Sequence, residues 1–351
     1  MTDRTESARR RQIAVIISAA IFAMLPAAVS AQESVTVAGY GGAMRKGFDA
    51  ALVNPAAQKV GVKIRSETHG DLPSIRVQVQ SGAPAWDLVH LGGDECARGE
   101  SEGLFEPLDL STFDDASIPA TARGKSWVAT NYYSVVMAWR TDKVKQPPKS
   151  WADFWDAKAL PGRRAIAGLA QETLEIALLA DGVAKDKLYP LDVERAFKKL
   201  EEIKPNITVW WTSGAQSAQL LNDGEVDMVM AWNGRISALT KEGAKVAYTY
   251  NQGILQSTSL CVLKGAPNLP TAIKFLNEAV DPVHQANLPL HIDYGPANPK
   301  AYDTKVISEA RVKELPSAPE NAKVQALMSY AWWTSPAGEA AEKRWLQFMQ
   351  K

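Results

Sequence analysis

Val226-Asp-Met-Val-Met-Ala-Trp-Asn-Gly234 is an apolar run that closes on Asn-Gly, and it reads as a short strand buried on both faces. Its surroundings decide what kind of sheet it belongs to. Residues 215–222 and 235–242 carry helical periodicity, and Thr208-Val-Trp-Trp211 reads as the strand before them. Strands separated by helices imply βαβ units and a mainly parallel sheet with helices on its faces.

The same alternation runs outward in both directions. Residues 34–38, 62–65 and 87–91 read as strands, with helices over 45–59 and 74–81 between them. A continuous strand-like run covers 132–139, and helical patterns follow at 171–179 and 192–203. A strand at 258–263 then leads to a helix over 269–280, and the end reads as helical at 322–329 and 337–350. Two α/β units joined by strand-like crossings, near 135–137 and 250–255, predict a two-lobed clamshell. The expected division is 32–136 plus 254–300 for the first lobe and 137–253 for the second, with 301–351 as C-terminal helices packing across both. Ligands of open α/β sheets sit beyond the carboxyl ends of strands, so two such ends facing each other make a cleft.

The N-terminus points to export. Arg9, Arg10 and Arg11 precede an apolar run, residues 13–25, which Pro26 ends. Val29-Ser-Ala31 then places small residues at the −3 and −1 positions of a cleavage site. That order predicts a cleaved signal peptide over residues 1–31, because about 13 apolar residues cannot cross a ~30 Å hydrocarbon core. A soluble periplasmic product is expected. The chain of 351 residues carries 39 basic and 39 acidic side chains, without a basic block or stripe. That balance argues against a nucleic-acid or anionic-membrane partner.

Cys96 and Cys261 lie far apart in the chain, and His69, His90, His284 and His291 are scattered. No metal-ligand spacing is present, so no metal site and no cofactor are expected. The two cysteines suit buried thiols, although an oxidising compartment also permits a disulfide. There is no Gly-x-Ser-x-Gly elbow and no nucleotide-binding glycine loop, which disfavours a periplasmic enzyme.

Three strings carry a family resemblance. They are Lys149-Ser-Trp-Ala-Asp-Phe-Trp155 with Leu160-Pro-Gly162, Asn222-Asp-Gly-Glu-Val-Asp-Met-Val-Met-Ala-Trp-Asn-Gly234, and Asp293-Tyr-Gly-Pro-Ala-Asn-Pro299. With them the chain resembles the spermidine/putrescine-type solute-binding proteins of ABC importers. The resemblance implies a type II periplasmic binding-protein fold, in which each lobe is a mainly parallel sheet and two strands form the hinge. It also implies a monomer that hands a small-molecule solute to a membrane permease.

Carried over position by position, the resemblance implies a pocket. Tyr40 stands for the family's aromatic after the first strand, with Gly42 following it in the same turn. Gly93 and Asp94 fall at the end of the third strand, where the family has a hydroxyl residue and a tyrosine. Asp94 could bind an amine or cap the following helix. Glu172 matches the second of two amine-binding carboxylates, while Leu169 stands where the first would be. An acidic residue at a helix start also suits the macrodipole alone. Ser213 matches a hydroxyl that contacts ligand, Gln256 and Thr258 replace an aromatic and an aspartate at the return crossing, and Trp332 or Trp333 falls near a polar pocket position.

Trp232, at a strand's carboxyl end, can cover a cation or aliphatic chain with its π-face, or simply fill the core. Arg235 follows at a helix start and can fork onto a carboxylate or phosphonate, or pair with Glu242 at the surface. A long polyamine needs a carboxylate for each charged nitrogen, and the substitutions at Leu169 and Thr258 remove two. The expected solute is therefore a small amine, a putrescine-like diamine or a short zwitterion such as an ω-amino acid. The alternative is an organic anion or aminophosphonate held through Arg235.

Overall fold

A computed structural model describes residues 33–350 apart from 70, 110 and 112–117. The expected signal segment lies outside the described residues. Strands β1 (Ser34–Gly39), β2 (Lys63–Thr68) and β3 (Leu88–Gly92) run parallel, with β1 between the other two. A second parallel set follows β4 (Trp127–Arg140). In it β5 (Arg164–Ala167) lies between β6 (Ile207–Trp211) and β7 (Met228–Trp232). With β8 (Val246–Val262) these strands form one hydrogen-bonded sheet in the order β2-β1-β3-β8-β4-β7-β5-β6. The buried strand quoted at the outset is β7, flanked by the helices Gly214–Asn222 and Asn233–Lys241.

The two long strands join the halves. β8 pairs antiparallel with β3 at one end, and β4 pairs antiparallel with β7 at the other. Between those ends β4 and β8 pair with each other, which makes the two-strand hinge. Their register breaks where the crossings were expected, since Val135 faces Ile254 whereas Met137 faces Thr249. The residues between Thr249 and Ile254 bulge, and Gln252 adopts a left-handed φ of 57°. Trp151, fully buried, grips this bulge. Its Nε1 donates to the Gln252 carbonyl at 2.9 Å, and its backbone N–H donates to Gln252 Oε1 at 2.9 Å. The Trp in the first family string thus packs as a clamp on the hinge.

The neighbouring Leu160-Pro-Gly162 has a role as well. Arg164 is buried and donates to three backbone carbonyls, those of Phe154, Gly162 and Leu160. These bonds close the loop between the helix Trp151–Trp155 and β5.

One element departs from the helical expectation over 322–329. A short helix ends at Ala322, and Ala326–Leu327 forms strand β9, parallel to Ile254–Leu255 of β8. Ala, Gln, Leu and Met favour helix locally, with only the β-branched Val324 against it, but an open edge of β8 at the bulge offers backbone partners that a helix could not use. Cys96 and Cys261 are both buried free thiols.

Candidate functional site

The carboxyl ends of five parallel strands converge on one region. β1 ends at Tyr40, β3 at Gly93 and Asp94, β5 ahead of Glu172, β6 ahead of Ser213, and β7 at Trp232. A cavity of about 390 Å³ opens there, walled by Tyr40, Met44, Tyr133, Trp232, Arg235 and Tyr294 among others. That size falls within the range of small-molecule sites.

Glu172 is the most unusual residue of the region. It is buried, and the helix Ala170–Ala180 is interrupted at its start, where Glu172 takes a left-handed φ of 70°. A non-glycine residue in this conformation costs about 1–3 kcal/mol, and such strain gathers at functional sites. The distortion aims the carboxylate at two donors. Trp232 Nε1 donates to Oε1 at 3.0 Å and to Oε2 at 3.3 Å, and Gln256 Nε2 donates to Oε1. Among the described residues no cation pairs with it. Burial pushes the Glu172 carboxyl up to about 8, against the pull of the Gln256 and Trp232 hydrogen bonds.

Asp94 approaches from the opposite half, in the first turn of the helix Gly93–Ser101. Burial raises its carboxyl as well, and the fields of Asp94 and Glu172 overlap. Backbone N–H groups of Asp94 and Glu95 donate to it, so Asp94 serves the helix end. Gly93 is required here, because a Cβ would lie 2.5 Å from the Tyr330 ring. Beside them Glu95 Oε2 accepts from Tyr40 Oη at 3.1 Å, and Gly92 N–H donates to that phenol oxygen at 2.8 Å. Burial, then the neighbouring Asp94, push Glu95 up to about 7.

Trp232 is half-buried, with its ring edge-on to Tyr133 at 6.2 Å and to Trp211 at 5.5 Å. The helix Gly214–Asn222 starts against it, and a Cβ at Gly214 would sit 2.5 Å from the indole. Ser213 is exposed and its Oγ accepts from Gln216 N–H at 3.3 Å, so the hydroxyl caps this helix. Arg235 lines the cavity and is exposed. Among the described residues it makes no hydrogen bond or ion pair, with Glu242 or any other group. Thr258 also lines the cavity, donating to Asn131 Oδ1 at 2.6 Å beside His90 Nε2 at 3.0 Å. His90 is fully enclosed, and burial lowers its pKa to about 3, so this network is neutral.

The structure therefore brings together Tyr40, Trp232, Arg235 and Thr258 on the cavity wall. Glu172 and Gln256 stand directly behind Trp232, and Gly93 and Asp94 stand beside Tyr40. Gly42 begins the helix Gly42–Phe48, one residue past the lining Gly41. Trp332 lies elsewhere, packed on Tyr189 and Trp333. Within the same helical turn Tyr330 is the inward residue, its Oη accepting from Ser257 N–H at 2.6 Å.

Tyr133, Tyr294 and Asp293 were absent from the sequence expectations. Tyr133 sits inside a strand-like run, 132–139, whose continuous apolar character does not mark which face looks inward. Asp293 and Tyr294 begin the third family string. Asp293 is buried and accepts from Lys241 at 2.6 Å, and also from Arg311 and Ser237. Burial opposes its ionisation, but those donors together hold its carboxyl below the ordinary range.

Known proteins resemble this chain in sequence and fold. The family model for bacterial extracellular solute-binding proteins covers residues 51–316. A gamma-aminobutyric acid-binding protein of Pseudomonas aeruginosa is 38% identical over 332 residues, 92% of each chain. The spermidine/putrescine-binding periplasmic protein of Escherichia coli is 23% identical over 243 residues, 66% of this chain and 69% of its own length. The crystal structure of an ABC transporter substrate-binding protein from Bradyrhizobium japonicum is 61% identical, with a TM-score of 0.88, covering 91% of this chain and 100% of that one.

Proposed function

The chain belongs to the bacterial extracellular solute-binding protein family of ABC transporters, and from that premise we propose that it captures a small ammonium-bearing solute, with a short ω-amino acid as the best fit. The observation that carries this reading is Glu172, a buried and strained carboxylate that only neutral donors meet. A buried charge without a partner costs several kcal/mol, and a ligand ammonium supplies the missing partner. Asp94, from the other half, lies close enough for its charge to act on Glu172, and it favours the same ligand charge.

Arg235 supports the second half of the solute. An unpaired guanidinium on the cavity wall matches a ligand carboxylate in bidentate geometry. Glu172 and Asp94 for an amine, with Arg235 for an acid, describe a zwitterion better than a diamine. The same Arg235 favours, as a second reading, an aminophosphonate or organic anion.

The wider assignments follow the same reading. The N-terminal residues 1–31 act as a cleaved signal peptide that delivers a monomer to the periplasm. The lobes are 32–136 plus 254–300 and 137–253, with 301–351 across both, and β4 and β8 flex between them as the solute is enclosed. The closed form then engages its membrane permease.

A thermal-shift screen tests the proposal. Gamma-aminobutyric acid, putrescine, aminophosphonates and dicarboxylates are compared at equal concentrations. A bound solute stabilises by about 2.7 kcal/mol at about one hundred times Kd. Amine-bearing compounds raise the melting temperature if the reading is right. Stabilisation by dicarboxylates with no response to any amine contradicts it.

A further inference from the structure

One helical turn beyond Glu172 lies a second carboxylate for which solute contact gives no account. Glu175 is completely buried and does not line the cavity. Its Oε1 accepts from Tyr189 Oη at 2.6 Å and from Trp333 Nε1 at 2.6 Å. Its Oε2 is buried with no hydrogen-bond partner. Burial raises its carboxyl, against the pull of the Tyr189 and Trp333 hydrogen bonds; yet the side chains that touch it only donate, which favours the ionised form, since a protonated one would need an acceptor for its O–H. A charge buried in this way demands a reason.

No positive group supplies that reason. Glu172 meets Trp232 from β7 and Gln256 from β8, with Asp94 and Tyr133 nearby from the first helix turn and from β4. Glu175 meets Tyr189 from the loop before the helix Val193–Ile203 and Trp333 from the helix Tyr330–Trp333. All of these are neutral or acidic. Arg98, on the helix that carries Asp94, pairs with Glu342. Two carboxylates three residues apart thus build a deep negative field behind the Trp232 wall.

We propose that Glu175 is a positioning residue for the ligand amine, a second buried negative charge that strengthens the hold of Glu172 on an ammonium group without touching the ligand. This rests on the amine reading of the site. Like charges this close do not both ionise freely, so the empty pair retains a proton near neutrality. An arriving ammonium takes that proton's place, and the proton leaves to solvent. Amine affinity therefore rises with pH until the pair is fully ionised.

The test compares Glu175→Gln with wild type by calorimetric titration of gamma-aminobutyric acid across a pH series. Gln still accepts from Tyr189 and Trp333, so the empty variant melts close to wild type. Binding above pH about 8, where Glu172 is ionised, weakens on the order of tenfold. The pH at which affinity falls away moves lower, because Glu172 has lost its negative neighbour. Unchanged affinity together with an unchanged pH midpoint overturns the role of Glu175. If wild type binds no amine, the amine reading itself fails, and the two failures are distinct. Should Glu175→Gln not fold, Tyr189→Phe removes one donor from the carboxylate. A smaller weakening in the same direction supports the proposal, and no change in affinity or midpoint overturns it.

Discussion

Glu172 concentrates the local argument, because backbone strain, burial and hydrogen bonding all converge on one carboxylate. Its proton uptake also gives the empty protein a pH signature. The carboxyl is raised from its ordinary 4.5 to about 8 on folding, chiefly by burial. The folded state thus holds a proton that the unfolded chain releases across that window. Its contribution to stability is complete below pH about 4.5 and is lost as pH rises through about 8. We expect the apo melting temperature of wild type to fall over this window more steeply than that of Glu172→Gln. The variant melts near wild type at neutral pH and no longer binds the amine, because Gln offers no charge to the ammonium. Parallel pH profiles, or retained binding, contradict this role. The sequence pointed to Glu172 by position alone. It could not show that Trp232 and Gln256 would be the donors, since those contacts join residues 60 and 84 positions away.

At the scale of elements, the hinge was legible in outline. The break between Val135 and Met137 lies where turn-free strand runs had marked a crossing. Strand lengths were not, because residues 246–257 mix polar and apolar side chains without a clean period. β9 was invisible, since its partners come from β8 and local propensity favours helix. Trp151 shows why the first family string has its form. Trp151→Phe keeps much of the buried ring but removes the donor to the Gln252 carbonyl. The expected cost is about 1–2 kcal/mol of unfolding free energy, measured by denaturant titration. A value near zero means that the clamp does not hold the bulge.

Across the whole molecule, two parallel half-sheets place five strand ends around one cavity, and this explains how residues from 40 to 258 meet. Alternating strands and helices were enough to foresee that convergence. The aromatic wall of Tyr133 and Tyr294 was not foreseeable, because which face of a crossing strand looks into the cleft depends on the bulges that reset its register. The central claim is that acidic and basic poles of one cavity, Glu172 with Asp94 and Arg235, select a short zwitterion. Calorimetric titration with gamma-aminobutyric acid, putrescine and succinate tests it most directly, because the three share a chain length and differ only in their end groups. The account predicts that gamma-aminobutyric acid binds most tightly, putrescine about tenfold or more weakly for want of a carboxylate at Arg235, and succinate not at all. Succinate binding more tightly than both amines would contradict it.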